Sequence, residues 1–164
     1  MRTPLSAPLF MTLCLFLCTA CVSVKLTPDV EKSKHVAYPP PSNNFEEISV
    51  PPADRAWKSR KTGNVISYFT ECSPTAVSLE ALRDGVLQSM PKAQILSSEV
   101  VQHDDREALD SVVEGRVEGV PVQMSLLVYQ RNGCRYTLSY SARKEGFETE
   151  LSEFQRFERG FRAP

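Results

Sequence analysis

The sequence is poor in the residues and motifs that catalysis draws on. It has two histidines in 164 residues, and it contains no G-x-S-x-G elbow, phosphate-binding glycine loop or His-Glu-x-x-His pair. No catalytic or cofactor signature is therefore legible, although serines are plentiful enough that a hydrolase acting on envelope material stays open as an alternative. Charge of one sign is also lacking. The 19 Lys+Arg stand against 20 Asp+Glu for a net charge of −1, and no basic cluster is present to neutralise phosphates, which removes nucleic acid as a partner. Long hydrophobic runs are absent as well. The apolar stretch Leu9 to Leu17 falls short of the roughly 20 residues that cross a bilayer.

What is present begins with an export signal. Arg2 supplies the positive end, Leu9 to Leu17 the apolar core, and Thr19-Ala20 the small residues before a cut, with Pro4 and Pro8 ahead of the core. Cys18-Thr19-Ala20-Cys21 resembles the site at which bacterial lipoproteins are cleaved and lipidated, with Cys18 standing where an aliphatic residue is usual. That resemblance implies a thioether-linked diacylglycerol on Cys21, and with it a membrane partner through the lipid anchor. Val22 in place of an Asp points to the outer membrane facing the periplasm. The alternatives are an uncleaved anchor helix over residues 7–24 and ordinary secretion; all three export the chain.

The rest, 41% hydrophobic and 9% aromatic overall, has the composition of one packed domain. Residues 1–20 read as the signal peptide, 21–44 as a lipidated N-terminus and Pro-rich tether, and 45–164 as a single α+β domain. Tyr38-Pro39-Pro40-Pro41 stiffens the end of the tether; alternatively, Val36 and Tyr38 dock this stretch in a surface groove.

Within the domain, Phe45, Ile48 and Val50 mark a first strand stopped by Pro51-Pro52. A second starts near Trp57, and Val65 to Cys72 is a third after a Gly63-Asn64 turn. Ser78 caps a helix running to about Met90, with Leu79, Leu82 and Val86 on one face and Pro91 as its stop. Gly85 is expected to mark close packing of that helix on the sheet. Strands follow at about 94–102, 107–118 and 120–130, the last alternating so as to bury one face strongly. Asn132-Gly133 turns into a final strand with Cys134, Tyr136, Leu138, Tyr140 and Ala142 on one side. Phe147, Leu151, Phe154, Phe157 and Phe161 then recur at helical spacing, an apolar stripe that should lie across the inner sheet face.

Two regions carry a family likeness. Asp105-Arg106-Glu107-Ala108-Leu109 through Val117-Glu118-Gly119-Val120-Pro121-Val122, and Asn132-Gly133-Cys134-Arg135-Tyr136 with Phe154-Gln155-Arg156-Phe157-Glu158-Arg159-Gly160-Phe161, resemble uncharacterised lipoproteins of deltaproteobacterial type. Their architecture is similar to the PsbP/Mog1-like group. The resemblance implies an antiparallel sheet of about six to seven strands packed by two helices, and an accessory or partner-binding role; it supplies no catalytic residues. The function expected is a tethered envelope module, non-catalytic, that binds an envelope protein or assists assembly. A purely structural envelope lipoprotein is the other reading.

Cys72 and Cys134 remain after export, in a compartment that favours a disulfide. They stand at strand ends that adjoin if the two strands are antiparallel neighbours, and their wide spacing speaks against CxxC redox or zinc sites; buried free thiols are the alternative. His103-Asp104-Asp105 is the one compact group with metal-ligand chemistry, and it reads more simply as a turn. His35 lies in the tether. No cofactor, metal or catalytic residue is expected.

Overall fold

A computed structural model describes residues 30–90 and 92–164. The signal peptide, the proposed lipid site Cys21 and the helix stop Pro91 lie outside the described residues. The elements are β1 (Phe45–Ile48), β2 (Arg55–Ser59), β3 (Val65–Cys72), α1 (Leu79–Leu87), β4 (Gln94–His103), β5 (Arg106–Val117), β6 (Val120–Arg131), β7 (Cys134–Arg143) and α2 (Leu151–Gly160). They build an α+β fold around one seven-stranded sheet in the order β1-β2-β3-β7-β6-β5-β4, every pairing antiparallel.

Two meanders make up this sheet, β1-β2-β3 and β4-β5-β6-β7, and the β3–β7 ladder joins them. Tight turns set the second meander. Asp104-Asp105, Glu118-Gly119 and Asn132-Gly133 all take positive φ at both residues, the geometry whose twist matches a two-residue hairpin. The Cys72–Cys134 disulfide closes the end of the β3–β7 ladder, where the two cysteines are paired in register. It cross-links the meanders at their seam.

The face toward α2 is an aromatic core. Alternation puts Ile66 and Tyr68 of β3 and Tyr136, Leu138 and Tyr140 of β7 on this side, where they meet Phe154, Phe157 and Phe161. Rings pack at stacked and edge-on angles, as with Tyr140 against Phe154 at 6.0 Å and Tyr68 against Phe161 at 5.2 Å. The stripe of phenylalanines is not one continuous helix. A 3-10 helix (Lys144–Thr149) carries Phe147 and gives way to α2 at Glu150, whose φ is −130°. Local bonds hold that break: Tyr140 Oη donates to the Phe147 carbonyl at 2.8 Å, Asn64 Nδ2 to the Gly146 carbonyl at 3.3 Å, and Ser59 Oγ to Glu150 Oε1 at 2.8 Å.

The tether assignment needs correction for residues 30–44, which lie on the domain. Ser33 N donates to Thr70 Oγ1 at 3.0 Å, Ala37 exchanges backbone bonds with Arg162, and Pro39 closes over Gly160. The physical reason is Tyr38. Its ring contacts Trp57, Tyr68, Phe157 and Phe161 at centroid distances of 5.3–6.2 Å, and aromatic burial of that kind offsets the entropy of ordering the strap. Docking of Val36 and Tyr38 is what the structure contains.

Coverage of the opposite face is thinner. Leu79, Leu82 and Val86 of α1 pack on Leu109, Leu126 and Val128, yet no residue of α1 is itself buried. Ser78 caps the helix by accepting from Ala81 N at 3.1 Å. The helix ends at Leu87, sooner than the periodicity predicts, and Met90 follows in a turn that buries it against Gly115. β6 departs from the one-sided burial expected. Ser125 to Tyr129 are buried on both faces, because α1 covers one and α2 the other.

Candidate functional site

A groove of about 570 Å³ runs along the α1 side of the sheet. Its floor is the outward face of the β3–β7 ladder, in the register pairs Ser67 with Ser139, Phe69 with Thr137 and Glu71 with Arg135. One wall is α1 and its approach, through Val77, Ala81, Leu82, Gly85, Val86 and Ser89; the other is the loop Val50-Pro51-Pro52-Ala53. The gap exists because α1 sits over β5 and β6 rather than over β3 and β7. Such a volume lies within the range of small-ligand and side-chain pockets.

The expected role of Gly85 is overturned here. A Cβ on Gly85 would meet nothing within 4 Å, so this glycine does not mark close packing. Together with Ala81 and Ser89 it keeps the helix wall low.

Polar chemistry gathers at one end. Arg135 Nη1 donates to Glu71 Oε1 at 3.3 Å and Nη2 to the Thr75 carbonyl at 2.6 Å, while its buried Nε has no partner among the described residues. Lys32 of the strap crosses the β3 flank with Nζ 3.7 Å from the Phe69 ring centroid, and it pairs with Asp54 at 2.8 Å and the Pro52 carbonyl at 3.3 Å. Ser67 and Ser139 share a hydroxyl hydrogen bond of 2.8 Å. Each cation thus has a carboxylate, and the groove offers apolar walls with a nearly neutral polar end.

The histidine cluster is dispersed by its turn. His103 is 8% exposed and packs edge-on against Tyr129 at 5.0 Å, its Nε2 without a partner among the described residues. Burial lowers its pKa, against the opposing pull of Asp104. Asp104 instead holds the C-terminal segment, accepting from Ala163 N at 2.9 Å near Arg131 and Arg162. Asp105 is exposed, as is His35 at a left-handed bend. Among the described residues no group of three or more His, Cys, Asp or Glu is placed to hold a metal.

A further titrating pair sits on the α2 side. Burial, and then Asp110, push the Glu158 carboxyl up to about 7, while burial and then Glu99 raise Asp110.

No family model matches the sequence, and no curated protein matches it. Solved structures do. The solution structure of the cyanobacterial PsbP protein CyanoP from Synechocystis sp. PCC 6803 aligns with a TM-score of 0.52 at 14% identity, over 74% of this chain and 83% of its own. The fold is PsbP-like. LpqN of Mycobacterium tuberculosis, involved in cell envelope biogenesis, has a TM-score of 0.61 at 11% identity, over 81% of this chain and 86% of its own. PA94 of Pseudomonas aeruginosa, a protein of unknown function, has 0.51 at 12%, over 81% and 85%. At such identities the likeness speaks for the PsbP-like fold alone.

The sequence singles out Gly85, but the floor positions Arg135, Thr137 and Ser139 come together with it only in the fold. The available signal is Phe69, a large aromatic side chain set among Ser67, Glu71, Arg135, Thr137 and Ser139 on the outward face of the β3–β7 seam.

Proposed function

We propose that the protein is an envelope-anchored, non-catalytic binding module whose α1 groove holds an apolar surface of an envelope component. The observation that carries this reading is the open groove itself, about 570 Å³ bounded by apolar walls across the sheet from a sealed aromatic core. The polar groups at its end are engaged with one another, Arg135 with Glu71 and Ser67 with Ser139, which favours holding over chemistry. The fold shared with LpqN, a protein involved in cell envelope biogenesis, supports the compartment.

In this reading Cys21 carries the lipid and the protein faces the periplasm, most simply from the outer membrane. Because the strap is docked from residue 30 onward, the chain between Cys21 and Val30 spans at most about 30 Å even fully extended. The domain therefore works close to its membrane.

A photo-crosslinking residue at Ala81, inside the groove, is expected to capture a reproducible envelope species in living cells. The same residue at Ser152, exposed on α2, should not. Equal capture from both sites, or none from Ala81, refutes the groove. Lipid labelling with fractionation tests the anchor separately, since label persisting in Cys21→Ser removes it.

A further inference from the structure

The two edges of the sheet are protected unequally. β1 is four residues long, carries Glu46 and Glu47, and is followed by Pro51 and Pro52, all features that discourage strand pairing. β4 has none of them. It runs for ten residues with Glu99 as its one Asp, Glu, Lys or Arg, and no strand pairs with its outer side among the described residues. Gln94 to Val100 are exposed without a break, including Ile95 at 44%, Leu96 at 51% and Val100 at 60%. Helix α1 leaves this edge clear, packing on β5 and β6 and sending Arg83 to the Ser98 hydroxyl at 3.1 Å.

We infer that β4 is an interface at which a second copy of this chain adds its own β4 antiparallel, so that the two sheets continue as one. The charge pattern of the strand selects a second copy, because its one charged residue, Glu99, meets no like charge when the strand pairs with itself about its midpoint. Its register with β5 is interrupted between Ile95 and Ser97, which leaves Ser97 to His103 as the regular edge, with Val100 at the midpoint. Val100 is also the most exposed large hydrophobic residue among those described. In the symmetric register it meets itself on the twofold axis. Glu99 then faces Val101 of the second copy and Ser98 faces Gln102, so no like charges stand directly opposite, the arrangement that weakens cross-strand pairs. A contact of this isologous kind closes at two copies.

Opposed Cα atoms in an antiparallel pair stand about 4.5–5.5 Å apart, within disulfide range. Full-length chain carrying Val100→Cys is therefore expected to form an oxidised dimer in the envelope, and chain carrying Lys61→Cys, exposed in the β2–β3 turn, is not. In sedimentation of the purified full chain, Val100→Lys places two ammonium groups face to face and should weaken self-association by about tenfold or more. At dilutions where the wild type is dissociated its thermal midpoint should match that of the wild type, since position 100 is a surface site of the single chain. A wild-type chain that remains monomeric at about 100 µM overturns the inference. So does unaltered association of Val100→Lys, equal dimer formation by Lys61→Cys, or crosslinking of Val100→Cys to a different protein in place of its own copy.

Discussion

The two faces of the sheet have the same backbone beneath them and opposite kinds of cover. Toward α2, Tyr136, Tyr140, Phe154, Phe157 and Phe161 are fully buried, and the strap adds Tyr38 to seal them. Toward α1, three buried residues meet a helix that buries none of its own, and a groove is left over the β3–β7 seam. The difference separates two tasks. Cohesion resides on the α2 face, which frees the α1 face to expose apolar surface at little risk to the fold.

That contrast is open to direct attack, beginning with its largest expected effect. Phe157→Ala opens a cavity in the sealed core and should cost about 3–5 kcal/mol in denaturant unfolding, against about 1–2 kcal/mol for half-buried Leu82→Ala across the sheet. Equal losses would break the comparison. Removing the Cys72–Cys134 bond, by paired serine substitution or by reductant, frees a 62-residue separation and should lower stability by up to about 4 kcal/mol. An unfolding midpoint indifferent to reductant would contradict the role of the seam.

The pH dependence sharpens the account of the α2 side. Glu158 binds its proton more tightly in the folded state, with a folded value of about 7 against an ordinary 4.5. Its favourable contribution is complete below the lower value and is lost as pH rises toward the upper one. Stability should therefore fall by about 2–3 kcal/mol between pH 4.5 and pH 7, with Asp110 acting in the same direction. Glu158→Gln should flatten that slope, and an unchanged slope would show that the carboxyl is not held as described.

The smallest effect compares two glycines under the α1 face. Gly85→Ala meets open space and should stabilise the helix by about 0.5–1 kcal/mol. Gly115→Ala should lose stability, because its Cβ would stand 2.4 Å from Met90 Sδ and Met90 is buried. Calorimetry on the pair distinguishes an open groove from a packed interface.

How much could be read in the chain follows the range of each interaction. The alternation of β7, the Asn132-Gly133 turn and the phenylalanine stripe are local patterns, and the structure contains all three. The sequence leaves the strap undecided between tether and docked segment, because Tyr38 is stabilised by rings from β2, β3 and α2 that are distant in sequence. The break at Glu150 depends likewise on Ser59 and Asn64, more than 80 residues away. The groove was least legible of all. It arises from where α1 sits relative to the β3–β7 seam, and no periodicity in a single segment encodes an offset between two.

The most direct measurement is a methyl-resolved NMR titration of the protein with the apolar, anionic dye anilinonaphthalene sulfonate. A groove on the α1 face predicts shifts in the methyls of Ala81, Val86 and Thr137 and silence from Leu138 and Ala142 on the opposite face. Shifts at Leu138 and Ala142, or a bound dye that leaves Ala81 and Val86 unmoved, would contradict the division of labour between the two faces.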